Sequence, residues 1–287
     1  VRDLAKNCKS FEEVAYLLWY EKLPNQAELD AYVERLKGMR DLPQALKEVL
    51  ERIPADAHPM DVMRTGVSVL GTLEPELSFD QQLDVADRLL ASMPAMLLYW
   101  YHFSHNGKRI ECVTDEPDLG GHFLALLHGK SPSDLHREVM NVSLTLYAEH
   151  EFNASTFTGR VCASTLSDLY SCITGAIGSL RGPLHGGANE AAMDLIDRFQ
   201  TPEEAIEELK AMMARKELIM GFGHAIYRES APRNEVIKAY SEKLAAEVGD
   251  TVIYPVSCAI EKLMWDEKKL FPNADFFHAS AYRFMGI

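Results

Sequence analysis

Thr201-Pro-Glu-Glu-Ala-Ile-Glu-Glu-Leu-Lys-Ala-Met-Met213 carries a complete set of helix signals. Thr201 is a cap, Pro202 suits the first turn, and Glu204 stands at the third helical position. Ile206, Leu209 and Met213 then recur at helical spacing. The same pattern extends outward in both directions. Leu29, Tyr32, Val33 and Leu36 follow it; Leu46, Val49, Leu50 and Ile53 repeat it behind Pro43; Leu135, Val139, Val142 and Leu146 form another stripe. Ser10-Phe-Glu-Glu13 reads as a capping box and Ser78-Phe-Asp-Gln81 as a second cap. The long segment opened by that second cap is expected to kink or break at Pro94 and to end at Asn106-Gly107. Gly249 is expected to stop the helix bearing Val236, Tyr240 and Leu244. Small residues crowd Ser164 to Gly178, as suits a buried helix packed closely on others. Sustained apolar–polar alternation is absent, and Arg109 to Thr114 is the one short strand candidate. The fold class is therefore all-α.

The chain has 287 residues, enough for one large core or two ordinary domains. Its 43 acidic and 29 basic residues leave a net charge of −14, which argues against a nucleic-acid partner. A small anionic ligand needs only a few local cations and is not excluded. With 47% hydrophobic and 25% charged residues, the composition is that of a globular protein rather than a disordered chain. The longest strongly apolar stretch, Met93 to Tyr101, falls well short of the roughly 20 residues that span a bilayer. No signal-peptide pattern opens the chain, and a start at Val1 suggests that it begins inside a longer protein. Cys8, Cys112, Cys162, Cys172 and Cys258 include no Cys-x-x-Cys pair, so reduced, mostly buried thiols in a cytoplasmic protein are expected.

Ten histidines are the first candidates for chemistry. His102 and His105 lack matching ligands for a metal, and no His-Glu-x-x-His occurs, so no metal site is expected. His122, His128 and His136 lie in amphipathic sequence. Three others interrupt helices in polar or Gly-rich breaks: His150 in Ala148-Glu-His-Glu-Phe-Asn-Ala-Ser-Thr156, His185 in Leu180-Arg-Gly-Pro-Leu-His-Gly-Gly-Ala-Asn-Glu190, and His224 in Ile219-Met-Gly-Phe-Gly-His-Ala-Ile-Tyr227. Glycine lets the backbone approach a ligand closely, and loops on a rigid scaffold are where catalytic groups gather. Each such histidine, taken alone, is equally a helix-terminus turn with a surface imidazole. The run Gly182 to Gly187 also reads as an anion-binding turn at a helix N-terminus, but it lacks the Gly-x-x-x-x-Gly-Lys pattern and no Gly-x-Gly-x-x-Gly follows a strand, which disfavours nucleoside triphosphates and excludes a dinucleotide fold.

Gly182-Pro-Leu-His-Gly-Gly-Ala188, Gly221-Phe-Gly-His-Ala-Ile-Tyr227 with Pro232-Arg233, and Phe271-Pro-Asn-Ala-Asp275 together resemble the citrate synthase family, in its order and over the whole chain. Tyr147 to Phe157, His58 to Thr65 and Leu97 to His105 look most like its 2-methylcitrate branch. The resemblance implies a Claisen-type condensation of an acyl-CoA with oxaloacetate, followed by hydrolysis. It implies Asp275 as the base, His185 as donor to the thioester oxygen and His224 as donor to the ketone. His150 and Arg233 would bind oxaloacetate, and Glu217, Leu218, Ile219, Met220 and Gly221 would line CoA, with Arg215 and Lys216 near its phosphates. No metal and no cofactor beyond the coenzyme A thioester substrate are implied. Read alone, Asp275 is also a helix cap, and its apolar neighbours Phe271, Phe276 and Phe277 are those of a desolvated base. Arg233 alone is a surface cation in an unfavourable first turn.

The resemblance further implies a two-domain helical homodimer, possibly a higher assembly. A large domain over 1–199 and a mobile one over 200–287 would close on oxaloacetate. The leading expectation is a propionyl-CoA enzyme. The alternatives are a citrate synthase using acetyl-CoA and a catalytically inactive helical dimer. Two departures from the family pattern stand out. Ala231 precedes Pro232-Arg233 where the family has Asp, and the family continues past Ile287 with two more substrate arginines.

Overall fold

Local signals set most of the helix ends. The computed structural model describes residues 2–8, 10–183, 185–223 and 232–287. Among the described residues the regular structure is helical with no strand, and the one ladder-type contact is an isolated bridge between Phe222 and Pro272. Two compact units emerge: Cys8–His185, and Val1–Asn7 together with Gly186–Ile287.

The Cys8–His185 unit holds α2 (Phe11–Tyr20), α3 (Gln26–Lys37), α4 (Gln44–Leu50), α5 (Pro59–Leu73) and α6 (Gln82–Asn106). It continues with α7 (Leu119–His128), α8 (Asp134–Tyr147), α9 (Ala154–Ala163) and α10 (Leu169–Leu180). Its main core joins Leu46 and Leu50 of α4, Val67 and Leu70 of α5, and Met96 and Trp100 of α6. The Trp100 indole N–H donates to the Ile53 carbonyl at 3.2 Å, so the buried ring keeps no orphaned donor. At Gly71, α10 comes so close that a Cβ would stand 2.6 Å from Tyr170 Cβ, so only glycine fits there.

Four local expectations give way in this unit, the first at Ser78, which makes no side-chain cap bond while Gln81 Oε1 accepts the Leu77 N–H at 2.7 Å. Helix α6 runs on through Pro94 to the positive-φ stop at Gly107 rather than breaking. Proline forfeits one helix hydrogen bond and costs about 3 kcal/mol. The fully buried Ala91, Ala95 and Met96 around it return more than that through apolar burial. The capping box at Ser10 does not form. The Phe11 N–H donates instead to Asn141 Oδ1 of α8 at 3.2 Å, and Ser10 Oγ is left buried. Arg109 to Thr114 is irregular rather than a strand, with the Arg109 guanidinium held on both Glu51 oxygens at 2.7 and 2.8 Å.

The second unit comprises α1 (Arg2–Asn7), α11 (Ala188–Ile196), α12 (Pro202–Ala214), α13 (Pro232–Val248), α14 (Ile253–Lys268) and α15 (Ala274–Phe284). The Thr201 cap forms as read, Thr201 Oγ1 accepting the Glu204 N–H at 3.2 Å. Gly249 stops α13 with φ +70. Helix α13 packs on α15, where Ser241 and Ser280 share a buried hydrogen bond of 2.7 Å. The two compact units part between His185 and Gly186. Helix α11 buries Ala192, Leu195 and Ile196 and packs on α15, which draws it to the later helices.

Candidate active site

A short backbone frame positions Asp275. The Gly223 N–H donates to the Phe271 carbonyl at 3.1 Å, and the Asn273 N–H donates to the Gly221 carbonyl at 2.9 Å. These two bonds clamp the segment 221–223 against 271–273. Gly221 has φ +86, and a Cβ there would stand 2.7 Å from Phe276 Cδ2. Two independent constraints, backbone sign and close approach, therefore demand glycine. The Phe222 ring packs on Phe276 at 4.7 Å between centroids, beside the fully buried Phe277.

Asn273 caps α15, its Oδ1 accepting the Asp275 N–H at 3.0 Å, and Asn189 Nδ2 of α11 donates to the Asp275 carbonyl at 2.9 Å. The cap reading thus belongs to Asn273, and the half-buried Asp275 carboxyl stands in the first turn, where the helix favours negative charge.

Arg233 lies in the first turn of α13, half-buried, and its Nε is buried with no hydrogen-bond partner among the described residues. A buried guanidinium donor left this way is costly unless a ligand anion meets it. Close by is a group the sequence reading passed over. His278 of α15 is completely buried, and its ring Nδ1 lies 2.5 Å from the Ala274 carbonyl. Burial, with Arg233 adding to it, lowers its pKa to about 4. A neutral imidazole therefore backs this region. Sitting mid-helix without a glycine or polar break around it, His278 offered only the signal of a core position.

In the other unit, His185 follows α10 in a turn closed by its own N–H to the Gly182 carbonyl at 2.9 Å. Its Nε2 lies 2.6 Å from Ser155 Oγ of α9. Asn153 caps α9 by accepting the Thr156 N–H at 3.0 Å, which places Ser155 in the first turn. Ser155 is the second group missed. Its signal was the Asn153-Ala-Ser155 start of a capped helix, but only the fold reveals which imidazole it meets. His150 is half-buried in the connection between α8 and α9. His224 lies outside the described residues.

Of the residues expected to line CoA, Leu218 is 70% exposed while Ile219 and Gly221 are buried. The Glu217 N–H donates to the Met212 carbonyl at 2.9 Å, closing α12. The Arg215 guanidinium is held between Glu217 at 2.5 Å and Glu208 at 2.9 Å, so its charge is already matched by two carboxylates. Among the described residues no group of three or more His, Cys, Asp or Glu is placed to hold a metal ion. His102 Nε2 lies 2.9 Å from the Leu126 carbonyl and His105 Nδ1 lies 2.9 Å from Ser104 Oγ.

An all-helical chain that frames a carboxylate, a serine-bound imidazole and a buried cation in separate segments has the parts of an acid–base enzyme for anionic substrates. The chain belongs to the citrate synthase family: the profile described as "Citrate synthase, C-terminal domain" matches residues 1–287. It is 68% identical over 287 residues to a 2-methylcitrate synthase of Shewanella oneidensis, covering all of this chain and 76% of that one. It is 41% identical over 293 residues to citrate synthase 2 of Bacillus subtilis, covering 100% of this chain and 78% of the relative. A citrate synthase of Thermoplasma acidophilum, solved as a ternary complex with carboxymethyl coenzyme A and oxaloacetate, superposes with a TM-score of 0.91. The two are 29% identical, over 99% of this chain and 76% of the other.

Proposed function

We propose that the protein is a 2-methylcitrate synthase, which joins propionyl-CoA to oxaloacetate and hydrolyses the product thioester to 2-methylcitrate and CoA. The observation that carries this reading is the 68% identity, along the whole chain, to a relative of that name. The Asp275 carboxylate takes a proton from the carbon next to the thioester carbonyl. His185, oriented by Ser155, donates to the enolate oxygen as charge develops there. His224 polarises the oxaloacetate ketone, and the enolate carbon attacks it. His150 and Arg233 bind the carboxylates of oxaloacetate; the buried Arg233 Nε, without a hydrogen-bond partner among the described residues, supports that role. The backbone of Glu217 to Gly221 lies along CoA. Water then cleaves the thioester, releasing CoA.

A propionyl substrate puts the reaction in propionate catabolism. Five free thiols support a cytoplasmic setting. A homodimer is supported by α9, whose Phe157 and Val161, one turn apart, are 63% and 52% exposed.

Release of the CoA thiol, followed with oxaloacetate and each acyl-CoA, tests the reading. Propionyl-CoA is expected to have the higher kcat/KM. One methylene in an apolar pocket is worth about 1–3 kcal/mol, so acetyl-CoA should still react measurably. Preference for acetyl-CoA would make the chain a citrate synthase, and no turnover of either would make it an inactive helical relative.

A further inference from the structure

We propose that Cys162 and Cys172 are a redox pair that peroxide converts into an intramolecular disulfide, tying α9 to α10. Helices α9 and α10 pack closely along this stretch, and the two thiols are neighbours across their interface. The approach there is close: a Cβ on Gly159, three residues before Cys162, would stand 3.6 Å from the Cys172 carbonyl. The remaining cysteines face different groups: Glu13 for Cys8, Lys47 for Cys112 and Tyr254 for Cys258.

The two partners differ as an attacking and a resolving thiol should. Cys162 is half-buried and reachable, whereas Cys172 is 5% exposed. Burial, followed by the neighbouring Cys162, pushes the Cys172 thiol up to about 11, which keeps it protonated at neutral pH. At 100° per residue, Cys162 shares the side of α9 with Ser155 and Gly159, away from Phe157 and Val161. A second copy covering Phe157 and Val161 would thus leave that side alone.

The chemistry balances with hydrogen peroxide as the oxidant. The Cys162 thiolate attacks one peroxide oxygen, the O–O bond breaks, and hydroxide leaves, giving a sulfenic acid. Cys172 sulfur then attacks Cys162 sulfur. The S–S bond forms, the S–O bond breaks, and the departing hydroxide takes the Cys172 proton as water. Each disulfide formed consumes one peroxide and yields two waters, and a thiol reductant reverses it.

The bond would be felt at the imidazole described above. A disulfide brings its sulfurs to about 2.05 Å, much nearer than two thiols in contact. Ser155, on the same side of α9, holds His185 at 2.6 Å, and His185 follows α10 directly. Drawing the helices together displaces that contact. This consequence rests on the role proposed for His185, whereas formation of the bond does not.

Treatment of the full chain with hydrogen peroxide, then digestion and mass spectrometry without reductant, tests the pair. The expected result is one cross-linked peptide pair containing Cys162 and Cys172, lighter by two hydrogens and restored by dithiothreitol. Two of the five thiols should disappear in denaturant. Cys162→Ser should abolish the cross-link while keeping the helical circular dichroism. A Cys162 that proceeds to sulfinic acid, or that pairs with another cysteine, overturns the proposal.

In the thiol-release assay, the oxidised wild type should lose about tenfold in kcat, since a misplacement of about 1 Å can cost about 10²-fold. The oxidised Cys162→Ser variant should lose none. An unchanged kcat in cross-linked wild type overturns the link to His185. A reduced enzyme with no turnover would instead count against the proposed function and leave the peptide result standing.

Discussion

Asp275 and Gly221 are the residues on which the carboxylate's geometry depends most directly. The Asp275 backbone is held from two sides, because Asn273 accepts its N–H and Asn189 binds its carbonyl. Asp275→Asn therefore keeps every backbone bond that positions it and replaces only the carboxylate proposed as the base. It should lower kcat by about 10²–10⁴-fold. Its stability should fall by no more than about 2 kcal/mol, the worth of a charge at a partly buried helix start. Steady-state kinetics beside urea unfolding measures both, and an unchanged kcat would remove Asp275 from the mechanism. Gly221→Ala is expected to do the reverse. Its Cβ would meet the Phe276 ring at 2.7 Å on a backbone of φ +86. Strain of this kind costs about 1–3 kcal/mol. Urea unfolding with the wild-type midpoint would show that the frame tolerates a side chain.

Elements add what single residues cannot. Helix α9 brings Ser155 to His185 because Asn153 caps it one residue before Ala154. Ser155→Ala should leave α9 capped and folded, yet free the imidazole to turn. The expected loss is about tenfold in kcat, from misorientation, with little change in KM for oxaloacetate. Because the serine bond fixes the direction of the ring, Ser155→Thr, which keeps the hydroxyl, should recover most of the lost kcat. A Ser155→Ala variant with reduced stability but wild-type kcat would make the bond merely structural. Helix α6 teaches a related lesson. Pro94 is a local stop signal, and it is overridden because a 25-residue helix buries both Leu89 before it and Trp100 after it.

At the scale of the molecule, the Cys8–His185 unit stores charge inside its core. Glu12 is 2% exposed, its Oε1 accepts the Leu119 N–H at 2.6 Å, and Arg40, Asp118 and Asn141 stand around it. Burial, with Asp118 adding to it, pushes the Glu12 carboxyl up to about 7. The folded state therefore holds a proton that the unfolded chain, with an ordinary carboxyl near 4.5, has already released. Stability from this group is full below about pH 4.5 and is lost as pH rises through about 7. Glu12→Gln keeps an oxygen for Leu119 and removes the titration. Relative to wild type it should gain about 1–3 kcal/mol between pH 5 and pH 8. Urea unfolding at the two pH values reads the difference, and an equal gap at both would refute the account. His122 opposes this trend. Burial, then Arg40, lowers its imidazole to about 3, so its contribution is lost as pH falls below about 6.5.

The amino-acid sequence by itself determined the helical class, the stripes that became α3, α4, α8 and α12, the stops at Gly107 and Gly249, and the motif segments holding His185 and Asp275. Each of these is encoded within about one turn or one short loop, where periodicity, capping and glycine geometry act without reference to the rest of the chain. Tertiary structure alone decided that Ser10 would go uncapped, that Pro94 would be bridged, and that Arg109 to Thr114 would be irregular. It alone brought Ser155 to His185, buried His278 where the Arg233 charge reaches it, set Cys162 and Cys172 on helices packed together, and laid α11 on α15. All of these depend on which helix faces lie against each other. Close packing settles that by comparing whole buried surfaces, whose free energies exceed those of a single cap or a single proline.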